Sequence, residues 1–314
     1  MTPPPVFYLG THHSAWLWNG EMDCRLFVSH NRLRERKSRF PQAVVPGWAL
    51  DSMGFSVLQR YGRWTVSPRE YVEATARYDA EIGRLEWAAG QDHMCERAVI
   101  YGGTFSGQHF AGTRQHIDPD SKLTYEQLVR VHQRLTVENT VELAAIWPQV
   151  SDSKDPYIPT LQGRVGDPES YLEHRAMYEA AGIHLADYPV IGVGSVCQLQ
   201  ASPSIGRLAR GLAPLSLPLH WFGLKLAGLP EVWPHITSHD SQAWGVSARR
   251  AARMDGCAHV RVRGKYTGQP STCANCPRYA RAWGREVVAL GASLAARDYH
   301  VQEELFAAAA GGAR

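Results

Sequence analysis

The stretch GWALDSMGF (47–55) runs a short apolar segment into a polar end. Its first half, GWALD (47–51), is continuously apolar rather than alternating, as expected of a parallel strand covered on both faces. Further runs of the same kind punctuate the chain: VFYLG (6–10), RLFVS (25–29), EWAAGQD (86–92), YIPTLQG (157–163), YPVIGVG (188–194), LHWFGLK (219–225) and HITSHD (235–240). Amphipathic segments separate several of them. SPREYVEATARYDAEIGRL (67–85) opens with a Ser N-cap followed by Pro. Segment 122–147 is long and amphipathic, 167–181 starts at Asp167-Pro168 and stops at Gly182, and shorter helices are expected over 203–212 and 241–254. Eight strands alternating with helices predict an α/β fold of the (β/α)₈ TIM-barrel type. A doubly wound open sheet is the structural rival, but no GxGxxG opens a helix.

Residues 257–300 break the alternation with a cysteine group, a Gly/Pro/Ser-rich loop (264–272) and a helix expected from about 277 to 297. The expected organisation is a barrel catalytic domain over 1–256 and a zinc-binding segment with a C-terminal helix over 257–314, packed on the barrel.

The 314 residues carry 44% hydrophobic and 20% charged side chains, an ordinary balance for a globular enzyme. No apolar stretch is long enough to span a membrane, and MTPPPVFYLG (1–10) lacks a signal-peptide pattern, so a cytoplasmic protein without a membrane partner is expected. The net charge of +3 says little about partners. Local basic groups say more: Arg32, Arg34, Arg36, Lys37 and Arg39; then Arg249, Arg250, Arg253, Arg261, Arg263 and Lys265; then Arg278, Arg281 and Arg285. Each could bind phosphates, or form a solvated helix face.

Barrel enzymes draw their catalytic groups from the C-terminal ends of strands. Here those ends read Asp51-Ser52-Met53-Gly54-Phe55, Gln91-Asp92-His93, Gln162-Gly163, Gly192-Val193-Gly194-Ser195, Lys225, and His239-Asp240-Ser241. One such aspartate reads first as a helix N-cap. Three around one mouth are harder to explain that way. Carboxylates suit chemistry at a glycosidic carbon, one attacking C1′ and another moving the proton of the leaving base. A carboxylate with an amide can also read the edge of a guanine-like base. Phe55 could stack on that base or belong to the core, and Lys225 is expected in the same mouth. His12 and His13, after the first strand, could touch phosphate or have no role.

ALDSMGF (49–55) resembles the Asp-Ser-Gly-Gly-Phe signature of the tRNA-guanine transglycosylase superfamily. QDHMCE (91–96), LQGRVGD (161–167), GVGSVC (192–197), SHDSQAW (238–244) and FYLGTHHSAWL (7–17) are similar to its DNA-acting branch, the DpdA-type deazapurine DNA modification proteins. The resemblance covers nearly the whole chain in order. It implies a pentosyltransferase that replaces guanine in DNA with a 7-deazaguanine such as preQ0, through a covalent glycosyl-Asp intermediate. Asp240 is then the nucleophile, Asp51 the general acid/base, and Asp92 and Gln162 contacts to the base, with Gly192 or Gly194 letting a backbone amide approach it. Met53 departs from the pattern, standing where the signature has its first Gly. The resemblance also allows a homodimer, although no stretch reads as a dimer surface. The same chemistry on tRNA is the nearest alternative, and a non-catalytic zinc-containing nucleic-acid-binding protein is an alternative of another class.

Of six cysteines, Cys257, Cys273 and Cys276 crowd together in sequence, a pattern that favours a metal over disulfides in a chain without a signal peptide. Cys273-Ala-Asn-Cys276 is a CxxC, and a redox role is its rival reading. Relatives in the superfamily hold structural zinc through CxCxxC and a distant His. Ser271 takes the place of their first Cys, so the expected Zn²⁺ ligands are Cys273, Cys276, His300 and Cys257, with His259 as the substitute for Cys257.

Overall fold

A computed structural model describes residues 4–105, 107–196, 199, 203–257 and 272–311, the last 15 of these in backbone only. It is a (β/α)₈ barrel. The strands are β1 (Val6–Thr11), β2 (Leu26–Ser29), β3 (Trp48–Asp51), β4 (Leu85–Ala89), β5 in two halves (Tyr157–Ile158 and Thr160–Leu161), β6 (Ile191–Val193), β7 (Leu219–Trp221) and β8 (Ser238–Ser241). All neighbouring strands of this sheet are parallel.

The ring closes through β5. Its first half pairs with β4, Ala89 opposite Ile158, and its second half pairs with β6, Thr160 opposite Gly192. Pro159 stands between the halves. It has no N–H for a ladder, so the strand breaks there and changes partner. The uninterrupted strand expected over 157–163 is therefore two short ones. Four other ends differ from expectation by three residues or more, the first being the sixth strand, which begins only at Ile191. The fourth strand stops at Ala89, leaving Gln91 and Asp92 in a loop; the seventh stops at Trp221; and the eighth starts only at Ser238, after a turn containing His235.

Alternation along the strands sorts the side chains. Tyr8, Ala49, Trp87, Ala89 and Ile158 form a small cluster inside the ring. Trp87 Nε1 donates to Tyr8 Oη at 3.0 Å, and the Trp87 and His220 rings lie 4.6 Å apart, although none of these strands are neighbours. Phe7, Leu9, Trp48, Leu50, Leu219 and Trp221 point outward into the large shell beneath the helices. Burying each such side chain contributes about 2 kcal/mol.

The helices that matter below are α1 (Gly54–Tyr61), α2 (Pro68–Ile82), α3 (Tyr125–Val150), α4 (Pro168–Ala180), α5 (Pro203–Leu212), α6 (Trp244–Arg250) and α7 (Pro277–Gly311). Reciprocal capping boxes start α2 (Ser67 with Glu70) and α3 (Thr124 with Gln127). Helix α7 packs on α6 and β1, with Trp283 against Phe7 at 6.1 Å. It is held there by Arg281 and Arg285, both paired with Asp23 at 3.2 and 2.5 Å. These two arginines thus serve the fold, a use not foreseen for the third basic group. Among the described residues no helix is long and apolar enough to cross a membrane.

Candidate active site

The inward positions nearest the C-terminal ends of the strands include Ser29, Asp51, Gln162, Gly194 and Asp240. Ser29 pairs in register with Asp51 across β2 and β3, and its side chain hydrogen-bonds the Asp51 carboxyl. The backbone of Met53 binds the same carboxyl. Loss of water raises the pKa of Asp51 above the ordinary range, and the charge of Asp240 adds to this. Met53 is buried and sits at φ 67°, the left-handed region a glycine enters freely. The chain therefore makes the turn of the signature with a methionine, and the side chain packs inward rather than lying open to a ligand.

Asp240 is 5% exposed. Its Oδ1 accepts from Gly223 N–H at 2.8 Å and faces His220 Nε2 at 3.3 Å. On the other side of that ring, Nδ1 is 2.9 Å from Ser238 Oγ. Burial lowers the pKa of His220. A neutral imidazole satisfies both contacts when Nε2 carries the hydrogen and Nδ1 accepts from the serine hydroxyl. Sequence reading missed His220, because a histidine inside LHWFG looks like a core residue.

Asp92 lies beyond β4, where Gln162 Nε2 donates to its Oδ2. Burial pushes its pKa up to about 7, with smaller contributions from the charges of Asp51 and Glu96. The charge of Asp240 thus reaches Asp51, and that of Asp51 reaches Asp92. The three expected carboxyls share one mouth.

Gln162 is fixed from several sides. Its Oε1 accepts from Ser195 Oγ at 2.6 Å, and that hydroxyl accepts from Cys95 N–H at 2.8 Å. Its backbone N–H donates to His174 Nδ1 at 2.8 Å, and its carbonyl accepts from Gln133 at 2.8 Å. The His174 hydrogen therefore sits on Nε2, 3.0 Å from the Gln133 carbonyl. Gly194 gives the amide its place: a Cβ there would run into the Gln162 side chain. A Cβ on Gly192 would meet the Phe222 ring at 2.5 Å and Thr160 Oγ1 at 2.8 Å. Both glycines make room for protein side chains.

Glu96, given no role from sequence, is a fourth carboxyl nearby. It is 2% exposed, with its pKa raised by burial and with Oε2 lacking a hydrogen-bond partner among the described residues. Phe55, in the first turn of α1, is 40% exposed and meets Phe110 edge-on at 5.9 Å. Lys225 corrects an expectation. It is exposed and lines a small gap with Leu226, His239 and Val287, on the α7 side of β8 and away from Asp240. A surface recess of about 530 Å³ lined by Arg130, Arg134, Glu138 and Met177 lies between α3 and α4 and holds none of the site carboxyls.

Cys257, Cys273 and Cys276 are buried, and their sulfurs lie within 4.8 Å of one another. Three close thiols fit a metal that prefers sulfur, such as zinc. The side chain of His300 lies outside the described residues, as do His259, Ser271 and the loop bearing Arg261, Arg263 and Lys265. Asn275, between the two cysteines of the CxxC, bonds to the barrel. Its Oδ1 is 3.1 Å from His12 Nε2 and 3.2 Å from His13 Nε2. Gln242, two residues after Asp240, reaches His12 Nδ1 at 3.0 Å. The two histidines thus join the cysteine knuckle to the rim beside β8.

A family model described as DpdA, DeoxyPurine in DNA protein A, matches residues 5–113 and 109–310. No curated protein matches the chain.

Proposed function

The chain belongs to the DpdA family (DeoxyPurine in DNA protein A), and from that premise we propose that it is a DNA-guanine transglycosylase. Family membership ties it to deazapurine modification of DNA, with DNA as the partner. The finer reading is exchange of guanine for a 7-deazaguanine such as preQ0. The observation that carries it is the shared barrel mouth in which Asp240, Asp51 and Asp92 sit in three different settings.

Asp240 receives two hydrogen bonds on Oδ1. With Oδ1 held in this way, Oδ2 is the attacking atom. It forms a bond to C1′ as the C1′–N9 bond breaks, and the electron pair leaves on guanine. Asp51, whose carboxyl burial and the neighbouring negative charge push toward the protonated form, delivers the proton that guanine takes up. The incoming base then gives a proton to Asp51, its nitrogen attacks C1′, and the ester to Asp240 breaks. Two displacements retain the sugar's configuration. Asp92 and Gln162 read the base edge, the carboxylate accepting from its N–H groups, and Phe55 offers a ring at the entrance. The target base must leave the stack to reach this depth.

The cysteine triad would hold a structural zinc, with His300 as the expected fourth ligand. When bound, the ion supplies cross-linking of the 257–314 segment and no step of the exchange. The barrel over 1–256 and this segment then form two functional parts, one for chemistry and one for bracing.

Incubation with radiolabelled guanine and either duplex DNA or tRNA tests the substrate. Label in DNA is expected. Label in tRNA alone sinks the DNA assignment, and binding without any exchange would favour a non-catalytic nucleic-acid-binding protein.

A further inference from the structure

After β4 delivers Asp92, the chain makes a short helix (Arg97–Tyr101) and then an antiparallel hairpin, Gly103–Phe105 paired with Gln108–Phe110. This insertion leaves from the C-terminal end of a barrel strand, so it belongs to the mouth face. Its base is anchored. Phe110 is buried with Leu58, Met94, Ala98 and Val99. Ala111 N–H donates to the Gln59 carbonyl at 2.8 Å, and Gln59 Nε2 reaches the His109 carbonyl at 3.2 Å. Both bonds tie the hairpin to α1, which starts three residues after Asp51. Its far end is not anchored in the same way: Phe105 is 52% exposed and ends the first strand.

The sequence around it is mostly basic, with Glu96 and Asp118 just outside it. The chain carries 30 acidic residues, yet none falls in 97–117 or in 54–69. Those stretches hold Arg60, Arg63, Arg69, Arg97 and Arg114 instead. Arg97 lies over the Tyr125 ring at 4.0 Å, and Arg114, ion-paired with Asp118 at 3.5 Å, lies over Tyr101 at 5.3 Å. Arg60 and Arg63 are exposed beside α1. A hairpin anchored at its base, with an exposed aromatic near its end, set among cations and next to a buried base-reading site, matches what a polyanionic stack of bases needs. The phosphates meet arginines, and the gap left by an extruded nucleotide is filled by a flat apolar side chain.

We propose that Phe105 is a DNA wedge: it enters the duplex beside the target nucleotide and holds the stack open while the base occupies the mouth. The proposal rests on the DNA reading above, and its test separates the two. Wild type, Phe105→Ala and Phe105→Trp are compared on a duplex carrying 2-aminopurine next to guanine, with binding followed by anisotropy and unstacking by fluorescence. Labelled-guanine exchange is then measured on duplex and on heat-denatured DNA. Phe105→Ala should bind the duplex within about two-fold of wild type while its fluorescence rise and its duplex exchange fall about ten-fold. Exchange into denatured DNA should fall far less, and Phe105→Trp should keep all activities. Unstacking by Phe105→Ala equal to wild type, absence of unstacking by wild type, or equal loss on both DNA forms overturns the wedge. So does a Phe105-dependent dimer formed without DNA, with unstacking intact. Phe105-dependent unstacking without any exchange supports the wedge and overturns the transglycosylase.

Discussion

His220 Nε2 and Asp240 Oδ1 meet inside the barrel at 3.3 Å, both side chains buried. The histidine faces away from the chemistry on its other edge, toward Ser238. In the proposed mechanism it is a positioning residue, holding one carboxylate oxygen so that the other is aimed. Removing a hydrogen bond to a buried charged group costs about 1.5–3 kcal/mol. His220→Leu should therefore lower labelled-guanine exchange by about ten-fold or more, with the loss in kcat rather than in KM for the base. An unchanged kcat would remove His220 from the account.

The proposed role of Asp92 predicts pH-dependent exchange. Its pKa is raised from an ordinary 3.8 to about 7, chiefly by burial. If the ionised form reads the base, affinity for guanine rises as pH rises through about 7, and Asp92→Asn abolishes that limb along with most binding. Stability has the opposite sign. A raised carboxyl pKa means that the folded state holds the proton more tightly, so stability declines as pH climbs from about 4 to about 7. Asp92→Asn should then melt at a higher temperature than wild type near pH 8, and no higher near pH 4. Thermal melts at the two pH values check this.

Gly194 is a steric prerequisite for Gln162. In Gly194→Ala the new methyl group occupies the amide's position, so the bonds from Gln162 to Asp92 and Ser195 cannot both persist. KM for the base should rise about ten-fold or more, the equivalent of one lost charged hydrogen bond. Gln162→Ala should match it, and the double variant should add little. Steady-state kinetics of the three variants decide the point.

The cysteine knuckle predicts bound metal and a structural cost for its loss. Purified protein should carry about one zinc per chain by mass spectrometry. Cys273→Ser should lose most of it and melt about 5 °C lower or more. Asn275→Ala should keep the zinc, since it removes only the bonds to His12 and His13. Full zinc content in Cys273→Ser would show that the cluster is not the site.

Strand positions were legible in the sequence because parallel barrel strands are buried on both faces and read as apolar runs. The polar residues ending those runs located Asp51, Gln162 and Asp240 at the barrel mouth. What escaped depends on closure of the ring. Pro159 changes the strand's partner only because β4 and β6 lie on either side of it. His220 looks like a core residue until Asp240 arrives from the next strand. Ser195 and Cys95 are 100 residues apart, and their bond exists only in the assembled mouth. The role of Lys225 was misread because its strand stops at Trp221, and the chain turns outward before reaching it.

The central claim is that Asp240 attacks the sugar. Wild-type protein incubated with DNA in the absence of an incoming base, then denatured and digested, should yield a peptide carrying a deoxyribose ester on Asp240. Asp240→Asn should yield none. Guanine exchange by wild type with no adduct under any condition, or an adduct on a different residue, would contradict the account.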